Sequence, residues 1–301
     1  MFRIKLALAV MLCVLFTLAI PAAAATPVDQ AGWAMRKQFV RLPNAVRLAY
    51  VEAGKPNGPP LLLLHGFTDS SRIWTALLPY LADHHVLVLD QRGHGASDAP
   101  ACCYSPTVLA EDARLFLDAL GIERASVVGH SLGSMVGQVL AAEHPDRVGK
   151  LVLAASTALA PIRRGDWLWQ RTVAASGLPS QDAVFMAEWT IGASPTPVDP
   201  LLVRYWDEDA KRIPHHVWRA IPRELLDVPV GRYAADVRAS VLILSADADP
   251  LFTAEHHQSL VRAYPKAQSK VFAGLGHNFI VERPQEVGPA LAAFLAQGDG
   301  R

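Results

Sequence analysis

The residues of this 301-residue chain best suited to chemistry are Gly129-His130-Ser131-Leu132-Gly133. The G-x-S-x-G pattern alone says little. Here it follows an apolar run, Ala125 to Val128, and precedes a helix-like stretch, Ser134 to His144. The serine therefore falls where a buried strand turns sharply into a helix. Glycines on either side of such a turn leave room where a side chain would meet neighbouring backbone. The turn lifts the Ser131 hydroxyl above the sheet, and the N–H groups that open the following helix face the same space. Such a hydroxyl can attack a carbonyl carbon if a base, a carboxylate and an oxyanion site accompany it.

An isolated hydroxyl is a weak nucleophile at neutral pH. Of the 11 histidines, His277 is the base expected from position. It lies in Gly274-Leu275-Gly276-His277-Asn278, past the last strand-like run and before the last helix. In a parallel sheet, loops at the carboxyl ends of strands share one edge, the edge where Ser131 emerges. His65 and His94 sit in H-G turns and read as structural hydrogen-bonding groups. His130 is expected to point away, and His215-His216 and His256-His257 read as surface pairs on helices.

A carboxylate must hold the imidazole tautomer and stabilise the imidazolium. Asp249 lies deep in the loop after Val241 to Leu244 and precedes Pro250, where extended backbone can aim it across the edge. Asp247 is the alternative, its other role being a turn hydrogen bond. Ala154 to Thr157 offers no acid. One oxyanion donor is the backbone N–H of Leu132. The second is assigned to the N–H of Phe67, after the four-leucine run Leu61 to Leu64. Losing one such donor typically costs roughly 10²–10³ in rate.

These residues need an α/β framework to bring them together. Phe39 to Leu42 and Val46 to Ala53 read as a hairpin about Pro43-Asn44. Leu61 to Leu64, Val86 to Leu89, Ala125 to Val128, Leu151 to Ala154 and Val241 to Leu244 are short apolar runs without alternation, the mark of strands buried on both faces. Lys270 to Ala273 is a last short strand. Helical patterns between them cover Ile73 to Ala82, Pro106 to Leu120, Ser134 to His144, Thr253 to Tyr264 and Pro284 to Ala296. The expected fold is a mostly parallel sheet with helices on both faces. From 157 to 231 the chain lacks any buried-strand run and carries five of the seven tryptophans. That stretch reads as a helical cap inserted into a core formed by 38–156 and 232–298, with one or two indoles facing a pocket.

The N-terminus carries Arg3 and Lys5, an apolar run from Leu6 to Ile20, and the small residues Ala22 to Ala25. That order is a secretory signal peptide over 1–25, cleaved near Ala24 or Ala25, in preference to an uncleaved anchor. Residues 26–37 read as a linker or loose N-terminal arm. The chain holds 28 basic and 28 acidic residues, and loss of the leader leaves 26 against 28, a net charge of −2. Nothing in that balance suits nucleic acid. Cys13 leaves with the leader. Cys102 and Cys103 offer no four-ligand metal spacing; they either close on each other or remain free thiols.

From Phe39 to Ala296 the chain resembles the α/β-hydrolase superfamily. The matching marks are His65-Gly66-Phe67, the loop Asp90 to Asp98, Gly129 to Gly133, Asp249 and Gly276-His277. The resemblance implies a serine hydrolase that cleaves a small or medium ester or lactone without metal or organic cofactor, and the leader makes it an exported one, periplasmic or secreted. Ser131 stands where epoxide hydrolases and haloalkane dehalogenases would carry an aspartate. Two alternatives stay open: a slow-turnover ligand-binding protein on the same fold, and cofactor-free haloperoxidase-type chemistry. The expected partner is a small molecule, with no nucleic acid and no membrane anchor after cleavage. The oligomeric state is left open.

Overall fold

The computed structural model of the protein describes residues 28–298. The expected signal peptide and Cys13 lie outside the described residues. Eight strands form one sheet: β1 (Gln38–Arg41), β2 (Arg47–Gly54), β3 (Pro60–Leu64), β4 (His85–Asp90), β5 (Ala125–His130), β6 (Val148–Ala154), β7 (Ser240–Ala246) and β8 (Gln268–Phe272). Their order across the sheet is β1-β2-β4-β3-β5-β6-β7-β8. The β1–β2 and β2–β4 pairs are antiparallel, and every other neighbouring pair is parallel. β3, β5, β7 and β8 therefore deliver their following loops to one edge.

The unalternating runs reflect burial on both faces. Leu62 and Leu64 join the core beneath α1 (Pro106–Ala119) and α2 (Leu132–Glu143), while Leu61 and Leu63 join the opposite core. Ser105 caps α1 by accepting the Val108 N–H at 3.3 Å, and Gly121, with φ 67°, ends it. Between β6 and β7 the chain forms α3 (Trp167–Thr172), α4 (Ala183–Thr190), α5 (Pro200–Arg212) and α6 (His215–Glu224). α7 (Ala254–Ala263), α8 (Phe279–Glu282) and α9 (Pro284–Ala296) complete the chain. None of the described helices is long and apolar enough to cross a membrane.

Two expectations need correction. The pattern Ile73 to Ala82 forms two 3₁₀ turns, Ser71–Trp74 and Leu78–Leu81, rather than one helix. Pro79 lacks the N–H a continuous helix would need there. The apolar spacing still buries Ile73, Trp74, Leu77 and Leu81. The arm, from Val28 onward, is docked rather than loose. Trp33 is fully buried and donates through Nε1 to Ser71 Oγ at 3.1 Å. Burying a side chain of that size stabilises by about 2–3 kcal/mol. Lys37 pairs with the buried Asp90 carboxylate.

Candidate active site

β5 runs straight into α2, and the single residue between them is Ser131, with φ 51° and ψ −117°. A left-handed φ on a serine is a strained turn, kept because its surroundings leave no alternative. A Cβ on Gly129 would stand 2.3 Å from the Gly133 carbonyl oxygen, and one on Gly133 would stand 2.1 Å from that of Leu64. Only glycine lets strand, turn and helix approach so closely. The Ser131 N–H donates to the Ala154 carbonyl at 2.9 Å, which ties the turn to β6. Behind it Ser134 Oγ lies 2.5 Å from the Ser131 carbonyl oxygen and 2.6 Å from Ser156 Oγ.

The loops after β7 and β8 bring Asp249 to His277. The imidazole Nδ1–H donates to Asp249 Oδ2 at 2.8 Å, with both side chains buried. Asp249 Oδ1 accepts the backbone N–H groups of Leu251 at 2.8 Å and Phe252 at 2.9 Å, which fixes the carboxylate. Asp247 is exposed and accepts the Gly274 N–H at 2.6 Å, the turn role that was its other reading. Burial disfavours both charged forms, but their mutual attraction prevails. It holds His277 above its ordinary value and Asp249 below its own.

With Nδ1 engaged by Asp249, Nε2 is the ring nitrogen left for the cavity side. His277 and Ser131 line a common cavity of about 20 Å³. Ser131 also lines a larger space of about 290 Å³ with Phe67, Leu132, Met135, Trp167 and Phe252. The sequence-derived residues thus converge on one region. His65 and His94 play the expected structural parts: His65 Nε2 accepts the Gln91 N–H at 2.9 Å, and His94 Nδ1 lies 2.9 Å from the Arg92 carbonyl oxygen. Burial pushes His94 down to about 3.

Other members were not anticipated. His130 does not point away from the site. Its ring lies 5.1 Å from that of His277, and its Nε2 donates to the His277 carbonyl at 3.0 Å. The turn after β3 is stitched to the inserted helices. Trp189 Nε1 donates to Thr68 Oγ1 at 2.6 Å, and Trp206 Nε1 donates to Asp69 Oδ1 at 2.7 Å. Glu282, raised by burial, accepts the Gly276 N–H at 3.0 Å and the Thr196 hydroxyl at 2.8 Å, bracing the His277 loop. The concentration of tryptophans in 157–231 was the one signal for these ties. Trp167 and Trp189 face the larger cavity, whereas Trp218 is fully buried against Phe67.

A family model described as alpha/beta hydrolase fold matches residues 59–284, most of the chain. This chain belongs to the alpha/beta hydrolase family. Epoxide hydrolase A of Mycobacterium tuberculosis is 41% identical over 120 residues, covering 38% of this hydrolase and 37% of that protein. The match spans about a third of the length of such curated relatives. A solved hydrolase from Pseudomonas aeruginosa PA01 is 27% identical with a TM-score of 0.73, over 87% of this chain and 98% of its own. A solved N-acyl homoserine lactone degrading enzyme is 26% identical with a TM-score of 0.67, over 85% and 100%.

Proposed function

We propose that this hydrolase is an exported serine enzyme that cleaves a small or medium apolar carboxylic ester or lactone. One observation carries the reading: a serine on a left-handed turn shares a cavity with a histidine whose far nitrogen is engaged by a buried aspartate. Ser131 Oγ attacks the carbonyl carbon while His277 Nε2 takes its proton. Asp249 keeps the ring in the required tautomer and stabilises its charge. The backbone N–H groups of Phe67 and Leu132 hold the oxyanion. His277 then protonates the leaving alkoxide, and water releases the acyl group from Ser131.

The cavity of about 290 Å³ matches a modest acyl group in an apolar lining. A serine at the elbow favours this chemistry over that of the epoxide hydrolase relative, and the lactone option draws on the lactone-degrading relative. Export is supported by the order of charge, apolar run and small residues at the N-terminus. The test is steady-state hydrolysis of p-nitrophenyl esters of rising acyl length and of acyl lactones. Multiple turnovers that vanish in Ser131→Ala are expected. A stoichiometric burst followed by silence would favour a binding protein, and equal turnover by both chains would refute the reading.

A further inference from the structure

His130 is 1% exposed, and Nε2 of its ring bonds to the His277 carbonyl oxygen at 3.0 Å. A carbonyl oxygen only accepts, so Nε2 carries the hydrogen, and in the neutral form of the ring Nδ1 presents a lone pair. That lone pair has no hydrogen-bond partner among the described residues. Asp69 Oδ2, itself an acceptor, lies 3.6 Å from it. Asp69 cannot swing away, because Trp206 Nε1 holds Oδ1 at 2.7 Å and the Gly66 N–H holds Oδ2 at 3.1 Å.

His130 Nδ1 is the acceptor left without a donor, and a donor placed between it and Asp69 Oδ2 satisfies it while separating the two acceptors. Both line the cavity of about 20 Å³, room for one water molecule, together with Ser131 and His277. Their convergence on the nucleophile is visible at Gly66. A Cβ there would stand 2.6 Å from Asp69 Oδ2, 3.1 Å from His130 Nδ1 and 3.2 Å from Ser131 Cβ.

We propose that His130 and Asp69 form a binding subsite for the water that hydrolyses the acyl-enzyme. The inference rests on the reading of Ser131 as the acyl carrier. The water donates its two O–H groups to His130 Nδ1 and Asp69 Oδ2, which turns its oxygen lone pairs toward the acyl carbon. In the hydrolytic step that oxygen bonds to the carbon. The water keeps its hydrogen bond to His130 Nδ1, gives up the one to Asp69 Oδ2, and turns that freed O–H to pass its proton to His277 Nε2. The tetrahedral adduct then breaks its bond to Ser131 Oγ, which recovers the proton from His277. A carboxylic acid and free serine result.

Two substitutions at His130 separate this role from a structural one. His130→Gln can still donate to the His277 carbonyl but places nothing at Nδ1. His130→Asn restores an acceptor near the Nδ1 position and gives up the bond to His277. Burst and steady-state release of p-nitrophenol from p-nitrophenyl butyrate are followed in the full mature chain, with intact mass recorded during turnover. His130→Gln should keep the burst, lose roughly 10–100-fold in the steady state, and accumulate a butyryl adduct. His130→Asn should recover deacylation. A burst and steady state that fall together in His130→Gln, an unchanged steady state, or the same ratio in both variants would overturn the subsite. Failure of the serine-hydrolase reading looks different, since the parent itself would then release no p-nitrophenol through Ser131, and both ideas would go.

Discussion

Asp209 of α5 accepts Arg72 Nε at 2.9 Å, with the two side chains only 7% and 4% exposed. Arg72 also donates to the Gln30 carbonyl oxygen at 2.6 Å. One buried guanidinium thus joins the N-terminal arm, the turn that carries Phe67 and the inserted helices. Breaking such a pair from one side leaves an uncompensated buried charge, at a cost of about 3–5 kcal/mol. Asp209→Ala should lose stability of that order in urea unfolding. A loss below about 1 kcal/mol, the range of a surface pair, would show that the clamp does not bind these parts together.

The pH dependence follows from the His277–Asp249 pair. In the proposed mechanism the histidine serves as base only after losing its proton, and its value is raised above the ordinary 6.5. The kcat/KM for a neutral ester should therefore rise with pH through a midpoint above 6.5. Asp249→Asn removes the main attraction and leaves burial opposed only by the more distant Asp69 and Glu282, so the midpoint should move down while the rate falls on the order of 10³–10⁴. A midpoint unmoved by that substitution would contradict the pairing. For stability, Asp249 sits below its ordinary 3.8. Its contribution is present above that pH and is lost as the pH drops through the lower folded value.

Trp167 is an exposed residue of the cavity lining. It is 43% exposed and stacks on Trp189 at 6.1 Å. Trp167→Ala should widen the acyl cavity and shift the preferred p-nitrophenyl ester to a longer chain, with little effect on folding. An unchanged chain-length profile would place the acyl group elsewhere.

Cys102 and Cys103 are joined as neighbours, with Cys103 at φ 77° and its carbonyl oxygen held by Arg92 Nη1 at 3.2 Å. The unreduced protein should weigh two hydrogens less than the reduced one, and neither of these two cysteines should react with an alkylating agent. Free thiols in protein isolated from an oxidising compartment would argue against the bond.

The sheet and the loops bearing Ser131, Asp249 and His277 were legible because buried parallel strands leave unbroken apolar runs, and their carboxyl-terminal loops share an edge. The choice of Asp249 over Asp247 was legible through Pro250. What stayed hidden depends on partners far apart in the chain. Trp33 meets Ser71, Arg72 meets Asp209, and Trp206 meets Asp69, contacts that leave no local periodicity. The 3₁₀ turns at 71–81 were hidden for a different reason. Their apolar spacing resembles that of a helix, and Pro79 was the only dissenting residue. The ring of His130 was misjudged because its direction depends on where the His277 carbonyl lies.

The most direct test of the account is covalent labelling by a fluorophosphonate, which requires an activated serine rather than a particular substrate. The parent should take up one label, mapped to Ser131 by peptide mass, and His277→Ala should label far more slowly. Labelling of Ser131→Ala at the parental rate, or a label mapped to another residue, would contradict the central assignment.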